Sequence, residues 1–248
     1  MTITQAVLLA GAAVLAGIVN AIAGGGTLLT FPALLAAGIP AVTANATNTV
    51  ALFPGQMASS WAYRSHLADE RRRALVLAVP SLAGGLLGSI LLMKLPPAVF
   101  ERAVPWLIIF ACAVLALQGQ LKQLLSGVRH GDHPAVLWLI QLLVGVYGGY
   151  FGAGIGIIML AAMGIFLPSS IQHANALKVL FSLLINGIAA FYFMFAGAVL
   201  PVEATLMAIA SIVGGFIGAA LAKRLPPAGM RGFSILVGLY AAVRIMLR

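Results

Sequence analysis

Long apolar runs alternate with short polar breaks along the whole chain, and the runs have the length of a bilayer. A helix needs about 20 apolar residues to cross the hydrocarbon core. The pattern predicts crossing segments at Ile3–Ala23, Ala41–Tyr63, Ala74–Met93, Ala98–Leu117, Ala135–Phe151, Gln172–Phe195, Ala204–Ala222 and Gly229–Val243. Two further runs are short, Thr27–Ala37 and Ile157–Leu167. As helix each would cover only about half the hydrocarbon thickness. Both follow glycine clusters and precede breaks marked by Pro40 and Pro168, so they read as half-helices or re-entrant segments. The expected fold is therefore an all-α polytopic membrane protein with eight full-length segments and two short ones.

The pattern repeats. Shifting the sequence by 130 (153 − 23) brings Ala23-Gly24 onto Ala153-Gly154, Gly26 onto Gly156 and Ala44-Asn45-Ala46 onto Ala174-Asn175-Ala176. The same shift brings Gly84-Gly85 and Gly88 onto Gly214-Gly215 and Gly218, and Leu95-Pro96-Pro97-Ala98 onto Leu225-Pro226-Pro227-Ala228. Shared glycine and alanine content explains scattered matches but not the Ala-Asn-Ala and Leu-Pro-Pro-Ala ones. The chain divides into a first repeat, 1–118, a connecting loop, 119–133, and a second repeat, 134–248, within one membrane domain. Loop charge predicts that the repeats are inverted. Arg64–Arg73 holds four arginines and is expected on the cytoplasmic side, whereas its counterpart Phe195–Glu203 has no Lys or Arg. An odd number of crossings per half leads to the same arrangement, which many secondary transporters share.

Composition narrows the class. Of 248 residues, 62% are apolar and 8% charged, too few charges to cover a water-facing surface. The net charge of +9 sits at the ends of apolar runs and not along one stripe, which fits membrane orientation and excludes nucleic acid as a partner. Lipid is the expected surroundings. One cysteine, Cys112, rules out an internal disulfide framework. No cleavable leader is expected, because Met1–Gln5 lacks a basic start. No His/Cys/carboxylate group has metal spacing, and neither a nucleophile–base pair nor a phosphate-binding loop is present, so no metal, cofactor or enzymatic activity is predicted.

Polar residues inside apolar runs are the candidate site. Gly24, Gly25, Gly26 and Thr27 open one short helix, and Gly154 and Gly156 open the other. Backbone N–H groups at such helix starts can hold an anion, with close helix packing as the alternative reading. Gly84-Gly85, Gly88 and their counterparts lie inside full spans and read as packing positions. Asn45, Asn48 and Gln56 lie near one helical face, and Asn175, Lys178 and Asn186 repeat that spacing. Interhelical hydrogen bonding is the alternative for the amides. Lys178 is the one full charge well inside an apolar run, where a lysine costs about 2.5–3.5 kcal/mol on insertion scales. The acids Asp69, Glu70, Glu101, Asp132 and Glu203 all fall at loops or span ends, so an anionic substrate is its natural counter-charge, with snorkelling to the interface as the alternative. His173, nearer the segment start, reads as interfacial.

The run Gly24-Gly25-Gly26-Thr27-Leu28-Leu29-Thr30-Phe31-Pro32-Ala33-Leu34-Leu35, followed by Ala44-Asn45-Ala46-Thr47-Asn48, resembles the signature of the TauE/SafE family of membrane exporters. Gly148-Gly149-Tyr150-Phe151-Gly152-Ala153-Gly154 with Asn175-Ala176-Leu177-Lys178 is similar to that family's second repeat, although Ile155 and Ile157 stand where the family often has glycine. The resemblance covers nearly the whole chain. It implies a multi-pass protein of a bacterial cell (inner) membrane that exports sulfite, sulfoacetate or a similar sulfonate. An anion channel of the same architecture and a membrane scaffold without transport are the rival readings. The oligomeric state is open, a homodimer included.

Overall fold

The computed structural model describes all residues except 23–24, 63, 126–133, 167–170, 222–225 and 248. Among the described residues the regular structure is entirely helical. The helices are α1 (Ile3–Ile22), α2 (Thr27–Ala36), α3 (Ala41–Ala62), α4 (Arg64–Asp69), α5 (Arg71–Lys94) and α6 (Pro97–Leu125) in the first half. The second half holds α7 (Pro134–Tyr150), α8 (Ile155–Phe166), α9 (Ile171–Phe195), α10 (Pro201–Leu221) and α11 (Pro227–Met246).

Six of these, α1, α5, α6, α9, α10 and α11, are long and apolar enough to cross a membrane, not the eight expected. The two differences have separate causes. Helix α3 has 22 residues, which is ample length, but Asn45, Thr47, Asn48, Thr49 and Gln56 lower its apolar character. Helix α7 is apolar but has only 17 described residues, Pro134–Tyr150. The short helices are present at 10 residues for α2 and 12 for α8, the latter starting two residues earlier than predicted, at Ile155. Helix α6 runs on to Leu125, past the predicted loop boundary at Gly119, and α4 forms within the predicted loop Arg64–Arg73.

Large apolar side chains cover the outside of the bundle. Phe195, Phe216, Leu236 and Trp106 are all more than half exposed. In water this would be a severe penalty, whereas hydrocarbon solvates these side chains as well as a protein core does. Inside, Phe31, Phe100, Phe151 and Tyr150 form an edge-on aromatic cluster between α2, α6 and the α7–α8 break, with the Phe31 and Phe151 rings 5.4 Å apart.

Helices of one half pack on helices of the other. The two most extensive contacts are α1 along α10 and α5 along α7. Under the repeat offset α1 corresponds to α7 and α5 to α10, so each contact is the other with the halves exchanged. The pairs α3–α10 and α5–α9, α1–α2 and α7–α8, and α2–α11 and α6–α8 are related in the same way, while α3–α9 and α6–α11 map onto themselves. Glycine makes the two principal contacts close. A Cβ on Gly88 or Gly149 would strike backbone of the partner helix, Val146 or Gly85, and one on Gly214 would strike Val14. These glycines are packing positions, as the sequence indicates for Gly88 and Gly214. Gly215 is not, since a Cβ there meets nothing within 4 Å.

Candidate functional site

Helices α3 and α9 carry the polar residues, and they pack on each other at the centre of the exchange. Asn186 on α9 donates from Nδ2 to Gln56 Oε1 on α3 at 3.2 Å, across a separation of 130 residues. These two residues are repeat counterparts. They lie on α3 and α9, one of the two helix pairs that map onto themselves when the halves are exchanged. Asn186 Nδ2 also donates to the Ser182 carbonyl at 2.9 Å, so its amide is fixed from two sides.

The second half builds a positive corner. The chain turns between α7 and α8 through Gly152 and Gly154, with φ of 81° and 79°, a left-handed backbone that glycine adopts without strain. Tyr147 ties this turn down by donating its hydroxyl to the Ala153 carbonyl at 2.7 Å. Helix α8 then starts at Ile155. Ile157 and Ile158 donate back to the Gly154 carbonyl, but Ile155 and Gly156 donate to no acceptor in the described protein. Lys178 lies against this start. A Cβ on Gly156 would sit 3.3 Å from Lys178 Cδ, so glycine at 156 makes room for the lysine stem. Lys178 Nζ donates to Asn175 Oδ1 at 3.3 Å, one turn back on α9. Among the described residues the one ion pair is Arg73 with Glu70 at 2.9 Å, so no described carboxylate neutralises Lys178. Two N–H groups at a helix start without a described acceptor thus lie beside the Lys178 stem, whose ammonium is held one turn back by Asn175, an arrangement suited to an anion.

The first half is built differently. Gly24 lies outside the described residues. Gly25 takes the left-handed conformation, with φ 94°. Asn20, at the end of α1, accepts the Gly26 N–H on Oδ1 at 2.8 Å. Leu28 donates to the Gly25 carbonyl, and Leu29 and Thr30 donate to that of Gly26. Among the first four helical N–H groups of α2, only that of Thr27 has no acceptor in the described protein. The start of α2 is therefore largely satisfied by the protein itself. Both helix starts rest on neighbouring turns of α6: a Cβ on Gly25 would meet Leu115, and one on Gly154 would meet Val114 and Ala111. Asn45 donates from Nδ2 to the Tyr150 carbonyl at the end of α7, at 3.1 Å. Asn45 Oδ1 and Asn48 Oδ1 are buried and accept no hydrogen bond.

Of the residues predicted from sequence, the structure brings together Gly156, Asn175 and Lys178, and separately Gln56 with Asn186. Asn45 adjoins the α7 terminus. Two residues were not singled out. Asn20 aligns with Tyr150, so the repeat gives it no polar counterpart, and its only signal is an amide near the end of an apolar run. Tyr147 reads as one aromatic among many apolar residues. A cavity of about 420 Å³ opens among Met1, Gln5, Pro40, Thr43 and Glu203, where α1, α3 and α10 begin, and none of the predicted site residues lines it.

Six membrane-length apolar helices describe a multi-pass membrane protein, and among the described residues no carboxylate pairs with the internal Lys178. Sequence comparison agrees and is more specific. Residues 9–245 match the family described as Sulfite exporter TauE/SafE, and the chain belongs to that family. It is 30% identical over 244 residues to a probable membrane transporter protein, ORF9, of a Sinorhizobium species, covering 95% of this chain and 90% of that one. A probable membrane transporter protein of Haemophilus influenzae is 30% identical over 82% of this chain and 80% of its own length. The probable membrane transporter protein YfcA of Escherichia coli is 29% identical, with 86% and 77% covered. No solved structure matches the chain.

Proposed function

We propose that this transporter exports a small organosulfur anion, sulfite, sulfoacetate or a similar sulfonate, bound beside the start of α8. The observation that carries the proposal is the position of Lys178. Its charge lies within a membrane-length helix, its stem packs on Gly156, and its described partner is the neutral Asn175. An anion there would take the N–H groups of Ile155 and Gly156 and relieve part of the cost of keeping the lysine charged. Gln56 and Asn186, Asn45 and Asn48, and the α2 start at Gly25, Gly26 and Thr27 would shape the remainder of the path between the halves. With the cell interior negative, each exported negative charge gains about 2.3 kcal/mol per 100 mV, which is enough to drive efflux.

Alternating access follows from inverted repeats, which we take as the architecture. The exchange of helix contacts between the halves supports a two-fold relation. The three arginines that open α5, against the acid Glu203 in the first turn of α10, support opposite orientation of these two corresponding helices. The test is a panel of sulfur oxyanions and sulfonates, applied first as thermal shift on purified protein and then as efflux from loaded vesicles. Saturable efflux of a sulfur anion that also raises the unfolding temperature is expected. Equal, negligible responses to every sulfur anion would remove the substrate assignment.

A further inference from the structure

The two halves treat the same amide oppositely. In the second half Asn175 Oδ1 accepts from the ammonium of Lys178 at 3.3 Å. In the first half Asn45 stands where Asn175 does and Asn48 where Lys178 does. Asn45 Oδ1 and Asn48 Oδ1 are both without a hydrogen-bond partner, in side chains only 1% and 2% exposed. A buried amide oxygen left unpaired costs about 1–3 kcal/mol, and these two belong to residues three apart, neighbours on the surface of α3. The Asn45 amide cannot simply turn over, because its Nδ2 donates to the Tyr150 carbonyl at 3.1 Å. That carbonyl belongs to the last turn of α7, the negative end of the helix dipole.

We infer that Asn45 Oδ1 and Asn48 Oδ1, beside the C-terminal end of α7, bind a monovalent metal cation in the place that the Lys178 ammonium takes in the other half. Two acceptors, a helix C-terminus and an interrupted backbone favour positive charge, and unwound carbonyls with half-helix C-termini are suitable ligands for sodium. The two oxygens are acceptors and would not hold an anion directly, so on the anion's path Asn45 and Asn48 would act through the bound cation. A divalent ion is disfavoured: its stronger charge calls for carboxylates, and the described acid in an ion pair, Glu70, is engaged by Arg73. The cation would give the first half a positive charge at the place that Lys178 takes in the second.

The test needs no sulfur anion, so it stands apart from the substrate proposal. The full chain, purified in detergent, is melted in sodium gluconate and in N-methylglucamine gluconate at equal ionic strength. Sodium is expected to raise the unfolding temperature by at least about 2 °C in a saturable way. Asn48→Ala should raise the sodium concentration for half effect about tenfold. Asn48→Lys supplies the ammonium internally and should be insensitive to sodium. Identical melting of the unaltered protein in the two salts would overturn the inference, and the Asn48 amide turned over to donate to Asn45 Oδ1, or water, would then be the partner. A sodium shift unchanged in Asn48→Ala and in Asn45→Ala would overturn it as well, by placing the ion elsewhere.

Discussion

Helices α3 and α9 have the same length class, the same amide spacing and the same central position, yet they meet their surroundings differently. On α9 the amide Asn175 is paired with an ammonium, and the lysine stem closes on the bare start of α8. On α3 the corresponding amides keep unpaired oxygens, and the nearby start of α2 already has its Gly26 N–H taken by Asn20. Two corresponding helices thus present a donor in one half and bare acceptors in the other. A duplicated membrane unit conserves packing because backbone contacts leave no choice, as at Gly88 and Gly214. Its polar positions are free to diverge, because each can be satisfied by a different partner.

The largest expected effect tests whether the halves are inverted at all. Single cysteines placed at Arg71 and at Ala198, on a background in which the buried Cys112 is replaced by alanine, should label from opposite sides of the membrane. The result is close to all-or-none: Arg71→Cys should react only with reagent on the cytoplasmic side and Ala198→Cys only from outside. Labelling of both from one side would end the comparison between opposed halves.

The next effect separates the two polar helices. Lys178→Met keeps length and packing while removing the charge. Efflux of the native anion should fall at least tenfold, about 1.4 kcal/mol, at equal protein level in loaded vesicles. Asn48→Ala removes a neutral group and should reduce efflux less. Undiminished efflux in Lys178→Met would mean that the lysine only packs or snorkels, and the anion site would have to be sought elsewhere.

Much of this arrangement was legible in the chain. Lys178 stands out because an unpaired charge in an apolar run is costly, and the short helices because glycine clusters and prolines bracket them. The offset of the repeats predicts that Gln56 corresponds to Asn186, although not that the two touch. What stayed hidden depends on long-range packing. Nothing local tells that α1 leaves its own half to lie along α10. Asn20 looks like a tolerated amide until the fold brings Gly26 back to it. The span count differs at α3 because Asn45, Thr47, Asn48, Thr49 and Gln56 lower the apolar average of a helix that packs on α9 and α10 inside the bundle.

A smaller effect contrasts neighbouring glycines within one helix. Gly214→Ala would drive a methyl into the Val14 backbone, whereas Gly215→Ala points into open space. Overpacking costs about 1–3 kcal/mol, and alanine gains up to about 1 kcal/mol over glycine in a free helical position. The melting temperature of Gly214→Ala should therefore fall by several degrees and that of Gly215→Ala should hold or rise. Gly84→Ala should behave like Gly214→Ala, because a Cβ there meets the Leu142 backbone of α7 in the corresponding contact. Equal melting of Gly214→Ala and Gly215→Ala would show that α1 and α10 do not approach closely there.

The smallest effect lies beside the axis itself. Gln56 and Asn186 are counterparts bonded to each other, so each removes the same contact when replaced by alanine. Interhelical hydrogen bonds in membranes are worth about 0.6 kcal/mol on average, because the separated helices find other partners. Gln56→Ala, Asn186→Ala and the double variant therefore form a cycle whose coupling should be about 0.6 kcal/mol, and the double variant should melt above the sum of the single losses. Asn186→Ala should be the more damaging single change, because its Nδ2 also donates to the Ser182 carbonyl while Gln56 has no equivalent second bond among those described. Strict additivity of the two losses would mean that the amides do not meet, and with that contact the placement of the axis between α3 and α9 would go. Transport gives the second readout. If the halves rock about this axis, the bond breaks or reforms as they move, so the double variant should alter the rate of efflux more than the half-saturating concentration of the anion. A change confined to half-saturation would instead make the pair part of the binding site.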